Sequence, residues 1–160
     1  MIRVGIVGYG NVGRGAESAV LQSEDMVLTG IFTRRDPASV HPLRAETSVL
    51  PVSFLMEQKA DVDVLLLCGG SATDLPVQTP ELARRYCVVD TFDTHARIPE
   101  HFANVDAAAK AGKTAAVIST GFISTRAISR SREQLFTPTR LPAARCRVTA
   151  IRRSTLRSSR

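Results

Sequence analysis

Three observations predict a doubly wound, parallel α/β sheet. Short β-rich runs alternate with helical patterns over residues 1–121. The first run is apolar with little alternation, as in a strand covered on both faces. A glycine-spaced turn, Gly8-Tyr9-Gly10-Asn11-Val12-Gly13, separates that run from the first helical pattern.

The elements follow in order. Ile2–Val7 reads as the first strand. Val12, Ala16, Ala19 and Val20 recur at helical spacing and predict a helix to about Ser23. Met26–Thr33 reads as a second strand. Pro37, Pro42 and Pro51 then punctuate a loop holding a short strand near Val49–Val52. Val62–Cys68 is a dense apolar fourth strand. Asp74-Leu75-Pro76 opens a helix, with Asp74 as N-cap and proline in the first turn, running to about Arg85. Tyr86–Asp90 is a fifth strand, Ile98–Ala111 a helix ending on Gly112 as C-cap, and Thr114–Ser119 a sixth strand. Right-handed crossovers give the order 3-2-1-4-5-6.

Composition narrows the function. The chain has 160 residues, is 44% hydrophobic and carries a net charge of +6. A mean hydropathy of +0.01 is that of a soluble globular domain. Its apolar runs fall short of the ~20 residues of a membrane helix, and it opens straight into a strand pattern without a leader. Cys68, Cys87 and Cys146 lack metal-site spacing, so a cytoplasmic protein without a metal is expected. The positive charge is uneven. Residues 121–160 hold 10 arginines against a single acid, Glu133, and so carry +9, which leaves −3 on residues 1–120. A basic chain ordinarily suggests nucleic acid, but here the excess lies wholly outside the α/β pattern. Nucleic acid is therefore not favoured as a partner.

The glycine turn sits where a Rossmann-type dinucleotide-binding domain requires it. Gly8 permits the tight turn, Gly10 lets backbone approach a pyrophosphate, and Gly13 lets helix and strand pack closely. Amides at the helix start, with the helix dipole behind them, face the phosphates. An NAD site places an acid at the end of the second strand. Here that stretch is Thr33-Arg34-Arg35. Two guanidinium groups and a hydroxyl suit a 2′-phosphate, so the cofactor expected is NADP. Asp36 follows as a competing partner for the arginines.

Five motifs go beyond a generic fold: Gly-Tyr-Gly-Asn-Val-Gly-Arg at 8–14, Gly-Ile-Phe-Thr-Arg-Arg at 30–35, Leu-Cys-Gly-Gly-Ser-Ala-Thr-Asp at 67–74, Val-Asp-Thr-Phe-Asp-Thr-His at 89–95 and Ser-Thr-Gly at 119–121. In this order they resemble the N-terminal part of the meso-diaminopimelate dehydrogenase family. The resemblance implies an oxidoreductase of bacterial lysine biosynthesis, which oxidatively deaminates meso-2,6-diaminopimelate to L-2-amino-6-oxopimelate with NADP. Full-length members are expected to be homodimers. It implies that Gly8, Gly10, Asn11, Val12 and Gly13 hold the pyrophosphate. Thr33, Arg34 and Arg35 would take the 2′-phosphate. Cys68, Gly69, Ser71 and Thr73 would line the nicotinamide-ribose side. Asp93 would be the catalytic carboxylate near the reacting ammonium group. Position agrees, because both loops follow strand carboxyl ends, where open α/β sheets bind ligands. Asp93 as a turn or N-cap residue is the structural alternative. Cys68 reads as a small packed residue rather than a nucleophile, and His95 as a loop residue.

The resemblance stops near residue 121. The family continues with Trp-Asp-Pro-Gly, where the Asp is a second substrate carboxylate, and later with Gly-His-Ser-Asp. Codons permitted for Ser124–Ser131 re-read in a shifted frame as Asp-Pro-Gly-Tyr-Phe-Ser-Leu. The same frame across Arg147–Ile151 can give Gly-His-Ser-Asp. The expectation is therefore a dinucleotide-binding domain at 1–121 and a frameshifted, non-homologous tail at 122–160. Five Thr and six Ser with the arginines make that tail resist packing. On this reading the chain retains cofactor binding with weak or absent turnover. Two rival readings stand beside it. One is another NADP-dependent amino-acid or sugar dehydrogenase of the same fold. The other is a nucleotide-sensing or nucleic-acid-binding protein that uses the basic tail.

Overall fold

The structure, a computed structural model, describes residues 1–120. The expectations for 122–160, including the shifted-frame motifs, lie outside the described residues. The strands are β1 (Ile2–Val7), β2 (Met26–Thr33), β3 (Val49–Pro51), β4 (Val64–Leu67), β5 (Val88–Asp90) and β6 (Ala116–Val117). The helices are α1 (Asn11–Leu21), a short α2 (Phe54–Glu57), α3 (Leu75–Ala83) and α4 (Ile98–Gly112). The strands form one six-stranded sheet in the order β3-β2-β1-β4-β5-β6, and every adjacent pair is parallel. This is the doubly wound order predicted, with the strand order reversing beside β1.

Alternation along each strand feeds two layers. Val7, Phe32, Leu65 and Leu67 join Leu75, Leu82, Val105 and Ala108 in the larger core, under α3 and α4. Ile6 and Ile31, their chain neighbours, enter a smaller cluster with Tyr9 and Val40. Register then sets the site: Val7 pairs with Phe32 on one side and Leu67 on the other, and Leu67 pairs with Asp90. The carboxyl ends of four strands thus finish level, and the glycine turn, Arg34, Cys68 and Thr91 follow along one edge.

β4 and β5 each begin two residues later than the sequence reading has them, and three further details depart from it. First, α1 buries Gly13, Glu17 and Val20, whereas Val12 is 46% exposed. The glycine has to face β1 for the helix to close in, and that rotation carries Glu17 inward. Second, β6 is only two residues long. Ser119 takes a left-handed φ of 58°, and its amide donates to the Asp90 carboxylate at 2.8 Å instead of extending the ladder. Third, Gly112 is the last helical residue, and Lys113 takes the left-handed cap position, φ 54°. Gly112 is fixed by contact instead: a Cβ there would lie 2.2 Å from the Arg84 carbonyl oxygen.

Among the described residues no helix is long and apolar enough to cross a membrane, and no cluster of ligating side chains is arranged to hold a metal ion.

Candidate functional site

The site is a cleft of about 280 Å³ over the carboxyl ends of β2, β1 and β4. Its floor is the glycine turn. Gly8 has φ +88°, a conformation costly for any side chain. A Cβ on Gly13 would lie 2.3 Å from the Gly8 carbonyl oxygen, so α1 starts in backbone contact with the turn. A Cβ on Gly10 would meet nothing within 4 Å. Gly10 is the N-cap of α1 and offers no side-chain cap. The first amides of the helix are thus left to other acceptors.

Behind the turn, the Tyr9 hydroxyl donates to the buried Glu17 carboxylate, which also accepts the Leu43 amide at 3.0 Å. Burial, then the bond to Glu17, pushes the Tyr9 phenol up to about 12. The sequence reading missed this pair, because an acid on a predicted outer face gives no sign of being buried.

One wall comes from the end of β2. Thr33 is buried, and its Oγ1 accepts the Arg35 amide at 3.1 Å. The Arg35 guanidinium donates to the Tyr9 carbonyl, tying this wall to the floor. Arg34 reaches across to Asp74 Oδ2 at 2.6 Å. Asp36 is not the competitor expected for these arginines. Its carboxylate caps the short turn Pro37–Ser39 by accepting the Ala38 amide at 3.0 Å.

The other wall is the loop after β4. Burial pushes the Cys68 thiol up to about 11, which suits a packed residue. Asp74 stands at the N-cap position of α3, but its carboxylate caps none of the helix amides. Its backbone, φ −96° and ψ −53°, turns the side chain back into the loop instead. There it accepts the Gly70 amide and the Thr73 hydroxyl, both at 2.9 Å. Burial alone would raise its carboxyl, but the Gly70 amide, Thr73 and Arg34 together hold it below the usual range.

Of the residues expected to bind a dinucleotide, Gly8, Gly10, Thr33, Arg34, Arg35, Cys68 and Gly69 line the cleft. Asn11, Val12, Gly13, Ser71 and Thr73 stand outside its lining. Ser71 joins the loops after β4 and β5: its Oγ accepts the Asp93 amide at 2.8 Å and lies 3.2 Å from Thr94 Oγ1. Asp93 is exposed at the neighbouring edge, also outside the cleft. Next to it lies a pair the sequence reading did not single out. Asp90, fully buried, meets His101 Nε2 at 2.6 Å, and Phe92 stacks on the imidazole at 4.1 Å between ring centres. Asp90 also accepts the amides of Phe92, at 3.2 Å, and Ser119, at 2.8 Å. This hub fixes both chain segments that leave the edge beside Asp93.

No protein-family model matches the chain. The meso-diaminopimelate D-dehydrogenase of Acetivibrio thermocellus is 53% identical over 121 residues, which is 76% of this chain and 36% of the relative. A mutant meso-diaminopimelate dehydrogenase from Clostridium tetani, solved with DAP, is 48% identical with a TM-score of 0.68. That match covers 76% of this chain and 37% of the other. An engineered D-amino acid dehydrogenase solved with NADP+ is 47% identical with a TM-score of 0.67, covering 75% and 36%. These similarities bear out the resemblance carried by the five motifs. The chain spans about 36% of the length of the curated relatives it matches.

Proposed function

We propose that residues 1–121 bind NADP(H) and serve as the cofactor domain of a meso-diaminopimelate dehydrogenase. The observation that carries this reading is the cluster of Thr33, Arg34 and Arg35 on the wall of the same cleft whose floor is the glycine turn. The residues fit the group. Gly10 leaves room for a close backbone approach, the uncapped start of α1 suits a pyrophosphate, and two guanidinium groups suit a phosphate dianion. On this reading Gly8, Gly10, Asn11, Val12 and Gly13 take the pyrophosphate, and Thr33, Arg34 and Arg35 the 2′-phosphate. Cys68, Gly69, Ser71 and Thr73 support the nicotinamide-ribose side.

The cofactor supplies a hydride acceptor. Asp93 supplies an exposed carboxylate that pairs with the substrate ammonium group and takes its proton. Ser71 orients Asp93 by bonding its amide. The substrate is meso-2,6-diaminopimelate, the products L-2-amino-6-oxopimelate and ammonia, and the setting is the cytoplasm. We read residues 122–160 as a frameshifted segment, so turnover by this chain is weak and cofactor binding is its retained property. A homodimer belongs to the full-length relatives on the same reading.

Titration of the chain with NADPH and NADH tests the cofactor assignment. NADPH should bind more tightly, and Arg34→Ala with Arg35→Ala should abolish the preference. Equal affinities in the unaltered chain would refute the 2′-phosphate site. Ammonia-dependent oxidation of NADPH with 2-amino-6-oxopimelate tests the reaction. The coding DNA tests the frame: it should spell the two displaced motifs when read in the shifted frame.

A further inference from the structure

Arg34 and Asp74 meet from opposite walls of the cleft. Arg34 follows β2 and Asp74 precedes α3, while β1 and its glycine turn lie between. With neighbouring strands about 4.8 Å apart, the pair bridges roughly 10 Å of sheet edge. The two partners differ in freedom. The Asp74 side chain is 10% exposed and the Arg34 side chain 60%. Asp74 is also anchored by the Gly70 amide and the Thr73 hydroxyl, both at 2.9 Å. A fixed acceptor therefore holds a donor that would otherwise sample many rotamers.

We infer that Asp74 is a positioning residue for cofactor selection: its carboxylate holds Arg34 across the cleft so that the free edge of the guanidinium receives a 2′-phosphate. The inference rests on the NADP(H) reading above. A guanidinium carries five N–H donors in a rigid fork. The bond to Asp74 engages Nη2, which leaves the other donors for an anion entering the cleft. Holding a long side chain in place before binding lowers the ordering cost paid when the ligand arrives. The Asp74 charge is shared among three donors, which weakens its repulsion of a phosphate. Thr33 completes the arrangement. Its oxygen already accepts the Arg35 amide, so its hydroxyl proton is free to donate to a phosphate. The site then has one hydroxyl, one arginine tied to the floor and one arginine tied to the far wall.

A double-mutant cycle on the full chain tests this, with NADPH and NADH affinities measured for Asp74→Ala, Asp74→Asn, Arg34→Ala and the Arg34→Ala/Asp74→Ala double variant. Asp74→Ala should lower the NADPH-to-NADH affinity ratio by about threefold or more, the range of coupling for side chains in contact. In the Arg34→Ala background it should change that ratio no further. Asp74→Asn keeps an oxygen for Gly70 and Arg34 and should fall between. The inference is overturned if Asp74→Ala tightens NADPH binding, since Asp74 then competes with the phosphate. It is equally overturned if both cofactors weaken alike, or if the loss persists without Arg34. Should the unaltered chain show no NADPH preference, the cofactor reading fails first. A clear preference with an uncoupled Asp74 sinks this inference alone.

Discussion

Gly10 and Gly13 share one turn under opposite constraints. A methyl group at Gly13 would press on the Gly8 carbonyl, a backbone atom that cannot swing aside. Gly13→Ala should therefore lift α1 from β1 and destabilise the fold by about 1–3 kcal/mol, read as a lower urea midpoint. A methyl group at Gly10 meets no atom within 4 Å. Gly10→Ala should leave stability within about 0.5 kcal/mol yet weaken NADPH binding, because the methyl group occupies the space a pyrophosphate needs. Loss of both properties together at Gly10 would show that the position is structural. Cys68 supplies a second residue-scale prediction. With its thiol pushed up to about 11, roughly one molecule in a thousand is thiolate at pH 8. Alkylation at the Cys68 peptide should be slow at that pH and accelerate as pH approaches the thiol's own range. Fast labelling at pH 8 would contradict the buried environment. That Gly8, Gly10 and Thr33-Arg34-Arg35 come together in one cleft was legible, because their placement lies in spacing from a strand end. Asp74 was not. Its sequence position is that of an N-cap, and only its backbone angles turn it toward Arg34. Asp90 and His101, 11 residues apart, meet only because the chain turns back after β5 and brings the start of α4 beside Asp90.

At the scale of elements, α1 is docked through a polar group. Glu17 lies on its buried face, held by Tyr9 and by the Leu43 amide. Tyr9→Phe removes a donor from a buried carboxylate and should cost about 1–3 kcal/mol. Adding Glu17→Met should recover much of that loss, because the stranded carboxylate is gone. Failure of the second change to recover stability would mean that the pair is not coupled. The amino-terminal ends of β1 and β4 respond to acid. Asp63 accepts the Arg3 amide at 2.9 Å and its Nη2 at 2.8 Å, joining the segment before β4 to β1. The Arg3 side chain, then its amide, holds the Asp63 carboxyl at about 2, below its ordinary 3.8. The folded state thus binds fewer protons than the unfolded state between those values. The stabilisation is present above about pH 4 and is lost as pH falls toward 2. Both side chains are partly exposed, so solvent screening keeps this slope shallow. Asp63→Asn should flatten the acid limb of a pH–stability curve in that window, so that its modest cost is seen at neutral pH and vanishes as pH falls toward 2. The strand order was legible from apolar runs and crossover handedness. Element ends were not, because partners distant in sequence set them: Asp90 takes the Ser119 amide and cuts β6 short.

At the scale of the molecule, the charge of +6 divides into −3 on residues 1–120 and +9 on residues 121–160. Every residue proposed above for the cofactor lies in the acidic part, where Arg34 and Arg35 line the cleft. The six strands and both hydrophobic clusters also close within it. Two consequences can be measured together. A chain ending at Thr120 should bind NADPH with the same affinity as the full chain, because it loses none of the proposed contacts. By mass action, NADPH at a hundredfold excess over Kd should stabilise either chain by about 2.7 kcal/mol. Thermal unfolding with and without NADPH would show equal upward shifts for the two chains, and smaller shifts with NADH at the same concentration. If the ten arginines of residues 121–160 drew the phosphates instead, the shift would vanish from the shorter chain. In the full chain it would then collapse with added salt, as the screening length shrinks below the separation of exposed charges. Binding that survives both the truncation and the salt assigns the cofactor to the cleft rather than to the arginine-rich segment.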